Sequence, residues 1–179
     1  MKKKIYINCD KTPKIPHTNW SIESHKKQGK ILWEPEKISF YLSDKQKTDR
    51  IIGNDLQKGL EDKPVLNANV LDFLLENPHL IPESWKQDEQ DRTRYIFFWG
   101  TIFRGSDEYL VVRDLCWGGG GWFSGCGWLD YGFDGQSPAA VCASSKTSEP
   151  KNSSDPSSLE LRVKELERIQ EKILRVINI

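Results

Sequence analysis

Between Asp114 and Gly135 the chain reads DLCWGGGGWFSGCGWLDYGFDG, and this stretch restricts the possible folds more than any other. Its 22 positions contain no Lys, Glu, Gln or Met. The remaining 157 residues hold 39 of those four types, so composition alone would place about five in the window. Eight of the 13 glycines also fall here. Trp side chains demand ordered surroundings, whereas glycine is conformationally permissive. Rigid anchors alternating with permissive positions predict an exposed loop on a rigid scaffold, suited to binding.

The bulk of the sequence sets wide limits. At 179 residues the chain is long enough for one domain with a real core plus an appendage. Lys+Arg and Asp+Glu balance at 26 each, so no long-range field draws it to nucleic acid or to an anionic membrane. No apolar run is long enough to span a bilayer. The start, MKKKIYINCD, is basic like a signal n-region, but Asn8, Asp10 and Lys11 deny it an apolar h-region. The default location is therefore cytoplasmic, with a cell or particle surface open only through a route the sequence does not display. Of the four cysteines, Cys9, Cys116, Cys126 and Cys142, none forms a CxxC pair, and no structural zinc site is expected. Folding back as a hairpin would let Cys116 and Cys126 bridge, although reduced thiols are the default without an export signal.

Three regions differ in composition. Residues 1–63 form a polar, Lys-rich part of the globular domain, with a strand expected at Ile38–Leu42 and a short helix capped by Asn54 and running to Leu60. Residues 64–145 are the aromatic-rich core. Here Asn67 or Asn69 caps a helix carrying Val70, Leu71, Phe73, Leu74 and Leu75, which ends before Pro78. His79–Pro82 is a turn from which Trp85 packs back. Tyr95–Trp99 is almost continuously apolar, as in a strand buried on both faces. Arg104–Asp107 supplies turn chemistry before the strand-like Tyr109–Val112, predicting a hairpin that leads into the Trp/Gly window.

Residues 146–157 are Ser/Pro/Lys-rich and read as a flexible linker. Ser157 and Glu160 then form a capping-box signature opening a helix over 158–179. Leu159, Leu166 and Ile173 take d positions, and Val163, Gln170 and Ile177 take a positions. Ile169, Leu174 and Val176 widen the stripe, favouring a trimer or higher homo-oligomer over a dimer. Docking on its own domain is the other use of such a helix. Alone in water it is marginal and must pack on something.

Chemistry-bearing patterns are sparse. Ser24 and Lys27 match a Ser/Lys nucleophile spacing, but lie in the charged run SHKK with no companion motif. Gly118–Gly121 lacks the Gly-Lys-Ser/Thr of a phosphate loop. Asp114, Asp130 and Asp134 lack calcium-loop spacing. The expectation is no enzyme, no cofactor and no metal. Aromatic stacking on single-stranded nucleic acid is disfavoured, because the window carries three Asp and no Lys or Arg. Protein and glycan ligands both suit Trp, Tyr and Phe among short polar residues. Packing needs assign Trp117, Trp122 and Trp128 to the core, and leave Phe123, Tyr131 and Phe133 exposed.

The run Phe97–Arg104, then Leu110–Arg113, Trp117, Trp122, Trp128-Leu129 and Pro138–Val141, resembles the variable proteins of diversity-generating retroelements, which carry C-type-lectin-like folds. In such systems an error-prone reverse transcriptase substitutes at template adenines, typically in AAC and AAT codons. Those codons can become Gly, Ser, Cys, Asp, Tyr, Phe or Leu, but never Lys, Glu, Gln, Met or Trp. The resemblance implies that Asp114, Leu115, Cys116, Gly118, Gly119, Gly120 and Gly121 are diversified ligand-binding positions. The same holds for Phe123, Ser124, Gly125, Cys126 and Gly127, and for Asp130, Tyr131, Gly132, Phe133, Asp134 and Gly135. Trp117, Trp122, Trp128 and Leu129 form the fixed scaffold, since the Trp codon contains no adenine. The resulting expectation is an α+β, C-type-lectin-like domain of short strands and helices with a coiled-coil-type helix at its C-terminus. It would display a protein or glycan ligand site. A non-diversified binding module and an intracellular structural oligomer are the alternatives.

Overall fold

The computed structural model describes residues 4–142. The linker at 146–157 and the helix at 158–179 lie outside the described residues. In chain order the elements are β1 (Tyr6–Asn8), β2 (Ser21–His25), β3 (Lys30–Leu32), β4 (Ile38–Tyr41), α1 (Asp44–Thr48), β5 (Ile51–Ile52), α2 (Gly53–Gly59) and α3 (Ala68–Glu76). There follow β6 (Ile96–Arg104), β7 (Leu110–Gly118), β8 (Gly121–Trp128), β9 (Gly132–Phe133) and β10 (Ala139–Cys142). Helices and sheets are mixed, so the fold is α+β. Among the described residues no helix is long and apolar enough to cross a membrane.

The principal sheet has six strands, ordered β4-β10-β6-β7-β8, with β2 also pairing to β6. β6 is its axis. Eight of its nine residues are buried, because both faces are covered. Ile96 and Phe98 face α3 and pack with Val70, Leu71, Leu74 and Leu115. Phe97 and Trp99, pointing the other way, join Leu56 and Leu60 from the α2 segment, with Val112, Leu129 and Phe133. A bulge between Phe97 and Ile102 then shifts the alternation, so the even-numbered Ile102 joins the odd-numbered Phe97 and Trp99 on one face. Burying each such large apolar side chain stabilises the fold by roughly 1.5–3 kcal/mol.

Asn67 caps α3, its side-chain oxygen accepting from the Asn69 backbone N–H at 3.2 Å. Its amide nitrogen donates to the carbonyls of Cys9 (2.8 Å) and Lys26 (2.9 Å), tying the N-terminal segments to the helix. Gly100 passes so close that a Cβ there would sit 2.8 Å from the Asn67 Cβ. Beside this contact the His25 ring bridges the Cys9 carbonyl (Nε2, 3.0 Å) and the Thr101 hydroxyl (Nδ1, 2.8 Å). Thr101 Oγ1 in turn accepts from the Ala68 N–H at 3.0 Å. These partners assign the Nε2–H tautomer, with the Thr101 hydroxyl donating to Nδ1.

Two local expectations need correction. Asn54 does not cap α2. Ile52 holds that position, and Asn54 reaches from inside the helix to donate to Asp130 Oδ1 at 2.7 Å. The Trp/Gly window is also no loop: most of it is regular strand in β7 and β8.

Candidate functional site

β7 and β8 pair antiparallel over eight positions, from Val111↔Trp128 to Gly118↔Gly121. Only Gly119 and Gly120 turn the corner. Their φ values of 60° and 84° are the left-handed pair that a two-residue hairpin turn requires. Directly paired residues share a face, so this register sorts the window into two surfaces. On the α3 face lie Val111, Arg113, Leu115 and Trp117, opposite Trp128, Cys126, Ser124 and Trp122. The other face carries Val112, Asp114, Cys116 and Gly118 opposite Gly127, Gly125, Phe123 and Gly121. All three window tryptophans therefore stand on one face of β7–β8, and three of the four β8 positions on the other are glycine.

On the tryptophan face, Trp117 and Trp122 meet edge-on with centroids 5.4 Å apart, and Lys86 Nζ sits 3.4 Å over the Trp117 ring. Both tryptophans are half-buried. Trp128 is exposed, which corrects its assignment to the core, and Tyr131 stands edge-on to it at 5.7 Å. Between these aromatic groups Arg113 donates to Asp72 Oδ1 on α3 at 2.8 Å and to Ser124 Oγ at 3.3 Å. Both charged partners are about nine-tenths buried. Arg113 lies one residue outside the window, and nothing in its local sequence announces a partner 41 positions away.

The glycines of the opposite face make room for two buried groups. A Cβ on Gly125 would lie 2.9 Å from Asp114 Oδ2, and one on Gly127 would lie 2.9 Å from the Phe133 ring. Phe133 is buried, wedged against Phe97 (4.9 Å) and Trp99 (5.1 Å), contrary to its expected exposure. Its environment comes from distant strands; the flanking glycines suggested only a turn. Asp114, Leu115 and Cys116 are buried as well, so they present no side chain to a ligand. Burial pushes the Asp114 carboxyl up to about 6, even though the Cys116 thiol and the Gly125 N–H (3.3 Å) favour its charged form. Burial together with Asp114 pushes the Cys116 thiol up to about 12, which favours the thiol over the thiolate. Cys116 and Cys126 are both free and stand on opposite faces, and no bridge joins them.

The remaining candidate positions divide by local space. Gly121 is open, and Phe123, Asp130 and Tyr131 are exposed; Ser124 and Cys126 are half-exposed on the outer strand. Asp134 is committed to its turn, accepting from the Gln136 N–H at 3.0 Å, and Gly135 lies against the Gln46 carbonyl. Gly132 packs on the Arg50 stem, and Gly118 on the Phe123 ring. Leu129 is buried. The exposed aromatics do not form one patch. Phe123 and Trp128 lie on opposite faces and about 17 Å apart along β8.

No protein-family model, no curated protein and no solved structure matches the chain.

Proposed function

We propose that this chain is a ligand-binding display protein whose Trp-framed segment is diversified by retroelement mutagenesis. In this reading the domain is C-type-lectin-like. The ligand is a protein or glycan selected by each variant, and the helix at 158–179 assembles the chain into a trimer or larger homo-oligomer. Weak single sites then gain avidity through multivalent display.

The observation that carries the reading is where the restricted residue set meets free space. Gly121, Phe123, Ser124, Cys126, Asp130 and Tyr131 lie on the outermost strand and the turn after it, where substitution disturbs few packed neighbours. Every residue at these six positions belongs to the set that adenine substitution in Asn codons can produce. Asp114, Leu115, Cys116 and Phe133 are better read as fixed by packing.

The gene tests it. A near-repeat of this segment beside a reverse transcriptase gene, differing only where the repeat has adenine, is the expected finding. Differences at other bases, or no repeat, sink the reading. For the helix, removing residues 158–179 should leave a monomer by light scattering, and an unchanged size refutes the oligomerising role.

A further inference from the structure

One end of the large sheet gathers residues that are distant in the chain. The turn from His17 to Trp20, closed by the Trp20 N–H donating to the His17 carbonyl at 3.0 Å, precedes β2. Ser106 and Asp107 occupy the β6–β7 turn, and β8 ends alongside at Trp128. Together they enclose an open cleft of about 460 Å³.

The walls are aromatic. Trp128 is 43% exposed, and Trp20 is half-buried, with His17 edge-on to it at 4.7 Å and Phe103 behind it at 6.2 Å. Four short polar side chains, Thr18, Asn19, Ser106 and Asp107, line the same cleft. Among the described residues none of the four makes a side-chain hydrogen bond to protein.

That combination selects a ligand chemistry. A purely apolar ligand would strip water from four polar side chains and return nothing. An anion would face Asp107 with no Lys or Arg in the lining. A pyranose satisfies both demands. Its C–H face is weakly positive and meets the negative face of an indole, while its hydroxyls donate to Asp107 and exchange hydrogen bonds with Asn19, Thr18 and Ser106. We propose that this cleft binds a neutral saccharide of one or two pyranose rings, held by Trp128 and Trp20 without a metal ion. The inference goes beyond the display function. Trp128 is the only window residue in the lining, and it belongs to the fixed scaffold, so the site stands whether or not the neighbouring positions vary.

Titration of the full chain with cellobiose, N,N′-diacetylchitobiose and lactose, followed by ligand-observed NMR and calorimetry, tests this. Saturable binding of at least one sugar with Kd of about 1 mM is expected. Trp128→Ala and Asp107→Ala should each weaken it by about tenfold or more. Tyr95→Ala, exposed at the far end of β6, should leave it unchanged, with matching urea midpoints showing that all three variants fold. Absence of saturation by all three sugars at about 20 mM overturns the proposal. So does full affinity in Trp128→Ala, or a loss confined to Tyr95→Ala, which would put the sugar at the other end of the sheet. A diversified gene repeat found beside a chain that binds none of these sugars would refute this inference alone.

Discussion

β8 and the second half of β7 belong to one compositional window, and the two strands face each other at eight positions, yet they occupy different environments. β7 has a strand on either side, and its six residues from Val111 to Cys116 are all buried. β8 is the outermost strand, and none of its eight residues is buried. The same restricted alphabet therefore has two physical causes. In β7 it follows from packing: Leu115 fits under α3, and Asp114 fits beneath a glycine. In β8 packing accounts for Gly125 and Gly127, and the Arg113 guanidinium holds Ser124, but Gly121, Phe123 and Cys126 are left unexplained. Composition marks out a segment; neighbours decide which of its positions are free to change.

The largest effect expected is on the β7 side of that comparison. Asp72→Ala strands Arg113 in a buried site and should cost about 3–5 kcal/mol in urea denaturation, since both partners are removed from water. Asp72→Leu combined with Arg113→Met should recover much of this. By contrast Lys14→Ala, which breaks the exposed Lys14–Glu76 pair, should leave the urea midpoint almost unchanged. A step smaller, Leu115→Ala should cost about 2–5 kcal/mol, while Ser124→Ala directly across the ladder should stay under about 1 kcal/mol. Equal costs at Leu115 and Ser124 would break the distinction between the strands.

Asp114 gives β7 a pH dependence. Its carboxyl titrates near 6 in the folded chain and 3.8 is its ordinary value, so the folded state holds the proton more tightly than the unfolded state. The stability contributed by the protonated form is complete below pH 3.8 and is lost as pH rises through about 6. The loss is on the order of 3 kcal/mol at most. Asp114→Asn keeps an acceptor for the Gly125 N–H and carries no charge. It should be more stable than the parent chain at pH 8 and lose that advantage near pH 4. Chemical denaturation at the two pH values measures this, and an unchanged difference would show that the carboxyl is solvated.

Much of the scaffold was legible because its signals are local. Asn67 ahead of an apolar stripe marks α3, and the run Tyr95–Trp99 marks a strand covered on both faces, although the strand starts at Ile96, runs on to Arg104 and leaves Tyr95 exposed. Trp85 packs back into the core as its spacing after Pro82 predicts. β8 was not legible. Its sequence GWFSGCGW has no β-branched residue, and its glycines suggest a loop. It forms a strand because β7 supplies the ladder and because the glycines clear one face for Phe133 and Asp114. Burial of Phe133 and exposure of Trp128 follow the same logic. Each depends on partners brought in by the sheet, and neither follows from the residue's own neighbours in the chain. The cleft beside Trp128 was equally hidden, since Asn19, Asp107 and Trp128 converge only through the pairing of β2 with β6 and β7 with β8.

The smallest effects separate positions within β8 itself. Gly127→Ala would place a methyl 2.9 Å from Phe133 and 3.0 Å from Phe97. Neither ring can retreat, because Phe133 is wedged between Phe97 and Trp99. The expected cost is about 1–3 kcal/mol. Gly121→Ala meets nothing within 4 Å and lies outside the left-handed region, so it should change stability by less than about 0.5 kcal/mol. A slight gain is the expected direction, since alanine narrows the unfolded ensemble. If both substitutions are neutral, β8 moves freely as a unit and all its positions are open to variation. If only Gly121 tolerates the change, the displayed surface shrinks to the turn-proximal and solvent-facing residues. A diversifying system acting on this chain would then have to leave Gly125 and Gly127 unchanged or give up stability with each change.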